Sequence, residues 1–365
     1  MPQGQDFWNP YRLVPVRDTV KRCAPWTDER YRGHSGLIRC EVKNLTPLFV
    51  GAQAVGTSHP SLLRENRYRV IPGSSLKGML RSLAEIVGGG CFVVSDSKSP
   101  VPPGMEACKR INQLCITCRM FGAMERGQNA RVHKGKVAIG DAIIREQIPK
   151  TKPLEVFLAN NSVGHEPFYR SPHTGILDGK SRKLYFHQPR PKESAPPIPE
   201  AILHKAWIVD ALLPGHHFDF QVQFTNLTDE ELSLLLYVLN LEEHVEVVVG
   251  EKKLRLAGPM RHKIGNAKPL GMGSCCIRLN RLEFLASPAE RFSTMNAATN
   301  RILESEDLKS EVKRRIQPLV ADQSPTMAAL RKMMVWDESD SRHFRYPTFH
   351  EFKSPNMQGT PLKPI

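Results

Sequence analysis

Ile71-Pro72-Gly73-Ser74-Ser75-Leu76-Lys77-Gly78-Met79-Leu80-Arg81-Ser82 is the stretch on which the reading of this chain turns. Pro72 and Gly73 close an extended segment, and Ser74 or Ser75 is expected to cap a helix by accepting a bond from an amide two or three residues on. Leu76, Met79, Leu80, Leu83, Ile86 and Val87 then recur at helical spacing and give the helix one apolar face. Gly88, Gly89 and Gly90 supply a left-handed cap and end it. Lys77 and Arg81 lie one turn apart in its first half. Free amides at a helix start attract anions, and two cations beside them suit phosphate. An ordinary capped helix with two solvated cations explains the same residues, so the local pattern leaves both readings open.

The 365 residues carry a formal charge of +14, which favours a polyanionic partner. No apolar run reaches the length of a spanning helix, and the first ten residues lack the blocks of a secretory signal. The expectation is a soluble cytoplasmic protein that binds nucleic acid. In a reducing compartment its eight cysteines would be thiols or metal ligands rather than disulfides.

Working outward, residues 1–35 are polar and read as an N-terminal arm. Residues 37–42 alternate as a half-buried strand, with Ile38, Cys40 and Val42 on one face. Phe218, Phe220, Val222 and Phe224 repeat that pattern, and Thr228 then caps a second helix whose buried side carries Leu232, Leu235, Leu236 and Leu239. Strand followed by helix thus occurs twice, each time with more strand-like sequence after it. This predicts an α+β, ferredoxin-like (RRM-like) layout over residues 36–285: an antiparallel sheet backed by two helices. Residues 286–365 read as a C-terminal helical extension and tail.

Two insertions interrupt this core. Residues 91–118 have too few apolar side chains to order themselves by burial, but supply Cys91, Cys108, Cys115 and Cys118. The last two are spaced so that one tight turn can aim both at a single ion, and the set suits a structural zinc; a redox pair lacks its flanking strand-helix pattern. Residues 145–205 mix ten Lys or Arg with nine prolines and with Phe157, Phe168, Tyr169, Tyr185 and Phe186. Cations for a backbone and rings for bases suit a single strand, though a surface insertion without a partner fits too. Residues 258–274 hold four glycines together with Arg261, His262, Lys263 and Lys268, a loop able to approach an anion closely. Neither glycine-bearing segment has the order of a nucleotide-binding P-loop.

The helix at 72–81, Cys118-Arg119-Met120-Phe121-Gly122, the stretch 135–142, the strand and helix at 220–241 and the loop 265–273 together resemble the RAMP superfamily of CRISPR-associated proteins, closest to the backbone subunits of type III (type III-D-like) effector complexes. The resemblance implies a RAMP core that grips guide crRNA, pairs that guide with target RNA, and stacks with sister RAMP subunits in an antiviral ribonucleoprotein. By position, Gly73, Ser74, Ser75, Lys77, Gly78 and Arg81 would hold guide phosphates, with His262, Lys263, Lys268, Gly271 and Gly273 close by. The 145–205 insertion takes the place of the family's thumb, and the four cysteines that of a zinc knuckle. Target-cleaving members carry an aspartate in the loop before the helix; residues 51–70 contain none, leaving His59 and Glu65 as the acid–base candidates. The expectation is a non-catalytic or weakly catalytic guide-binding subunit. The alternatives are an RNA endonuclease, either a target-slicing subunit using His59 or Glu65 or a repeat-processing RAMP enzyme, and a structural adaptor working through its C-terminal helices and tail.

Overall fold

The computed structural model describes residues 8–17, 19–27, 29–51, 64–65, 68–93, 101–125, 127–157, 166–170, 181–189, 206–250, 253–286, 300–347, 351 and 362. In chain order the elements that matter here are β1 (Tyr11–Pro15), β2 (His34–Asn44), β3 (Tyr68–Ile71), α1 (Gly73–Val87), α2 (Ile116–Phe121), β4 (Val137–Ile139), β5 (Ala142–Ile144), β6 (Thr151–Phe157), β7 (Ser181–Tyr185), β8 (Ala206–Leu212), β9 (His217–Leu227), α3 (Asp229–Asn240), β10 (Val245–Val249), β11 (Leu254–Gly258), β12 (Ser274–Phe284), α4 (Ser305–Val320) and α5 (Pro325–Met334).

The period-two strands find each other. β2 lies between β9, which sets Phe220 opposite Cys40 and Val222 opposite Ile38, and β12, which sets Leu279 opposite Cys40 and Leu282 opposite Ile38. β4 and β5 pair with the far side of β9, and β3 follows on β5. Of the strands joined through the two helices, the fourth, first, third and second therefore lie side by side, antiparallel throughout. Asp219, Gln221 and Gln223 point to solvent while Phe218, Phe220, Val222 and Phe224 are buried with Leu76, Leu80, Leu232, Leu235 and Leu239 of α1 and α3. Alternation on the strands and helical spacing on the helices thus meet in one core.

Thr228 caps α3 as expected. Its hydroxyl accepts from Glu231 N–H and the Glu231 carboxylate accepts from Thr228 N–H, a reciprocal capping box. The expected serine cap of α1 is corrected. The helix begins at Gly73 after Pro72, and neither serine caps it. Gly73 N–H donates instead to Asp141 Oδ1 at 2.6 Å, and Ser75 N–H to Pro72 C=O. Gly73 is glycine because a Cβ there would sit 2.3 Å from Ile139 O.

Three further expectations need correcting. Residues 11–16 are not a free arm: β1 pairs antiparallel with β7, and Val14 and Val16 enter the main core. The rings of the 145–205 insertion, the Phe157 side chain lying outside the described residues, are engaged with other residues rather than held free for bases. Phe168 and Phe186 are buried, and Tyr169 and Tyr185 lie around Tyr11. α4 and α5 form within the expected C-terminal helical extension, but they are not an appendage, because Leu308, Val312, Ile316, Met327 and Leu330 join the same core. β6 and β8 pair with each other and carry the ends of the insertion outward as a two-stranded ribbon. Among the described residues no helix is long and apolar enough to cross a membrane.

Candidate nucleic-acid interface and cysteine cluster

α1 and the glycine-bearing loop face each other across a cleft of about 430 Å³. Ser75, Gly78, Met79 and Ser82 of α1 form one wall and Arg261, Lys263, Asn266 and Lys268 the second. The third wall is Lys183, Leu184, Tyr185 and His187, from β7 and the residues just after it. The described lining holds four cations besides His187 and no carboxylate.

The loop's path is set by its glycines. Gly265, Gly271 and Gly273 have φ near +85°, +87° and +80°, a region costly for residues with a Cβ. A Cβ on Gly273 would also lie 1.9 Å from Ile264 O. Ile264 N–H donates to Gly273 C=O, Gly273 N–H to Pro47 C=O and Asn266 N–H to Phe49 C=O, so the loop is pinned to residues 47–50. Gly271 and Gly273 are buried: they shape the loop rather than face the cleft.

A short polar chain holds Lys263. Its ammonium donates to Ser274 Oγ at 3.3 Å, and Ser274 Oγ lies 2.8 Å from His187 Nδ1. His187 Nε2 lies 2.8 Å from the Arg261 carbonyl, which can only accept, so Nε2 carries the proton and Nδ1 accepts from the serine. Burial, followed by the charge of Lys263, keeps His187 well below its usual range and neutral. Burial and then Lys268 push Lys263 down to about 7. Burial lowers Lys268 too, and that ammonium has no ion-pair partner among the described residues. Such cations are desolvated at a cost that a bound anion would offset.

On the outer face of α1 Ser74, Gly78 and Ser82 stand four residues apart and are exposed, and the last two line the cleft beside Met79. Among the described residues a Cβ on Gly78 would meet nothing within 4 Å, so none of them requires glycine there. Ser82 Oγ folds back on Gly78 C=O at 2.9 Å. Lys77 is half-buried outside the described lining; burial and then Arg81 lower its pKa. Arg81 turns the other way, to Glu85, Gly122 C=O and Cys118 Sγ. His262 is 1 % exposed and bonded to Val238 C=O at 2.7 Å; burial pushes it down to about 4, which leaves it neutral and inside the protein. His59 lies outside the described residues, and of Glu65 only the backbone, in a short strand beside β3, is described.

Sequence reading missed Lys183; it offered Arg261 and Tyr185 only as part of a loop and an insertion, not as walls of one cleft. Lys183-Leu184-Tyr185-Phe186-His187 does alternate, but inside an insertion whose pairing with β1 no local pattern announces.

The four cysteines of the other insertion do come together. All four sulfurs lie within 4.8 Å of one another and are buried, a set that could hold a metal ion. Cys91 Sγ is 3.6 Å from Cys118 Sγ and 3.8 Å from Cys108 Sγ, far beyond the roughly 2.05 Å of a disulfide. Cys115 N–H donates to Cys108 Sγ, and Thr117 Oγ1 lies 3.2 Å from Cys115 Sγ. Hydrogen bonds from Cys108, Cys118 and Cys91 lower the pKa of the Cys115 thiol, so the four sulfurs share their protons through one network.

The model of the RAMP superfamily matches residues 41–276, which include α1, the cysteine cluster and the cleft. The chain belongs to the RAMP superfamily. A comparison with curated proteins finds no match. The RAMP superfamily is one of CRISPR-associated, RNA-binding proteins, and the cleft lies in its matched part. β1, α4 and α5 fall outside the match, although they pack into the RAMP core.

Proposed function

We propose that this RAMP protein is a crRNA-binding backbone subunit of a type III CRISPR ribonucleoprotein. It grips guide phosphates and presents the guide to target RNA, beside sister RAMP subunits, in antiviral defence. The observation that carries the reading is the cleft: Lys183, Arg261, Lys263 and Lys268, without a carboxylate, face a helix side kept open at Gly78. Arg261 also pairs with Glu243, outside the lining, but Lys263 and Lys268 are desolvated with no carboxylate partner among the described residues, which a phosphate backbone would match, and base pairing leaves sequence to the guide. The antiparallel order of fourth, first, third and second strands supports a ferredoxin-like core, and the β6–β8 ribbon supports a thumb-like role for the insertion.

The test is single-stranded RNA binding by Lys263→Ala/Lys268→Ala over a salt series. Affinity is expected to fall for all sequences alike, and the slope of log K on log salt to shrink by about 0.7 for each lost phosphate contact. Unchanged affinity and slope would remove the cleft from RNA binding.

For the cysteines we propose structural zinc. Bonds of about 2.3 Å in a tetrahedron place sulfurs about 3.8 Å apart, close to the spacings around Cys91. Cys91, Cys108, Cys115 and Cys118 would hold the ion as thiolates. Metal analysis of the purified protein checks this: about one zinc per chain is expected, and less than about half sinks it.

A further inference from the structure

The side chain of Arg81, one turn from Lys77, is not aimed at the cleft. Nε donates to Glu85 Oε1 at 3.3 Å, Nη1 to Gly122 C=O at 3.3 Å and Nη2 to Cys118 Sγ at 3.6 Å. Glu85 is 7 % exposed, and its second oxygen accepts from Arg182 Nη2 at 2.7 Å. The Arg182 guanidinium lies 4.1 Å from the centre of the Phe92 ring, whose chain neighbour is Cys91. Arg182 belongs to β7, and the next residue, Lys183, lines the cleft. One buried carboxylate therefore joins three parts: α1, which forms the first wall; β7, which leads into the third; and the cysteine cluster, through Cys118 on one side and Phe92 on the other.

We infer that Arg81, Glu85 and Arg182 are positioning residues that make the RNA grip of the cleft depend on the cysteine cluster, with none of the three contacting RNA. The inference rests on the RNA-binding reading of the cleft. Its physical basis is that one nearly buried carboxylate holds both arginines, so that losing Glu85 or either fork loosens one wall of the cleft from the next. An arginine fork reaching a carboxylate, a carbonyl and a cysteine sulfur together cannot be replaced by a lysine, which presents a single ammonium.

Three variants separate positioning from direct contact. Affinity for a single-stranded RNA of about 20 nucleotides is measured over a salt series, with far-UV circular dichroism to establish folding. Arg81→Lys keeps the charge, so a phosphate contact would survive near wild-type affinity. The positioning role predicts binding about five- to tenfold weaker with an unchanged salt slope. Glu85→Gln removes no cation and releases two, so a direct role for Arg81 predicts equal or tighter binding, whereas positioning predicts the same loss. Arg81→Met must also leave the salt slope unchanged; a slope smaller by about 0.7 would mark a lost phosphate contact and overturn the inference. Chelator-treated protein that retains its circular dichroism is expected to match the affinity of Glu85→Gln, and full affinity there also overturns it. If Lys263→Ala/Lys268→Ala weakens binding while these variants do not, the relay fails and the cleft stands. If neither set has an effect, the RNA reading fails with it.

Discussion

α1 and α3 occupy equivalent places, each following a strand of the main sheet and burying leucines in the same core, yet they are finished differently. α3 carries its own cap in Thr228 and Glu231 and is covered on its outer side by α4, with Asp229 paired to Arg315. α1 borrows its cap from Asp141 and leaves Ser74, Gly78 and Ser82 uncovered. A helix enclosed on both sides serves packing. One whose outer side leaves Gly78 and two serines exposed keeps room for something outside the chain.

The largest expected difference lies under α3. Glu231 is fully buried and accepts from Arg119 Nε at 2.7 Å and from Lys136 Nζ, while also completing the cap. Lys136 and Arg119 hold its carboxyl below the usual range against the opposing effect of burial. Glu231→Gln leaves both cations buried and is expected to cost about 3–5 kcal/mol in denaturant unfolding, since breaking a buried pair exceeds what the pair contributed. RNA affinity of the folded fraction should not change. A comparable loss of affinity would show that α3 too is coupled to the cleft.

The second prediction concerns pH and belongs to the cleft alone. Lys263 titrates at about 7 in the free protein against 10.5 ordinarily, and a phosphate beside it would restore the higher value. Binding then takes up a proton above pH 7, and affinity is expected to fall by up to about tenfold per pH unit as pH rises beyond that point. Stability moves the other way. The folded chain binds fewer protons than the unfolded one between about 7 and 10.5, so this lysine's contribution to stability improves with rising pH. Opposite slopes in binding and unfolding distinguish Lys263 from a general alkaline effect. In Lys263→Ala both should flatten.

Why one helix was legible and the other only half so follows from sequence distance. Thr228 and Glu231 are three residues apart, and the alternation from Phe218 to Phe224 lies within one strand, so local pattern suffices for α3. The four cysteines were legible because their chemistry converges wherever the chain lets them meet. Asp141 caps α1 from 68 residues away, and Lys183 enters the cleft only because β7 pairs with β1, some 170 residues earlier in the chain. Spacing placed Arg81 one turn from Lys77, but its direction depends on Gly122 and Cys118, more than 35 residues on. Tyr169, Tyr185 and Phe186 were read as free for bases because their ring partners Tyr11 and Trp8 stand at the far end of the chain.

The two caps give a smaller, paired test. Thr228→Ala and Asp141→Asn should each cost about 1 kcal/mol. Only the second should also alter RNA affinity, because the asparagine removes a carboxylate from the start of the helix that walls the cleft. Equal silence in binding would mean that the start of α1 is as structural as that of α3.

The smallest expected effect has the sharpest sign. Glycine inside a helix costs about 0.8–1.0 kcal/mol relative to alanine, because the unfolded chain has more freedom to lose. Gly78 has open space where a methyl would go, so Gly78→Ala is expected to stabilise the protein by nearly that amount in thermal or denaturant unfolding. If the cleft takes an RNA backbone against this wall, the same methyl occupies the approach and binding weakens several-fold while stability rises. A larger side chain, as in Gly78→Leu, should deepen the binding loss. Stabilisation with unchanged affinity would place the RNA against the loop side, on Arg261, Lys263 and Lys268, and leave the open side of α1 without a role.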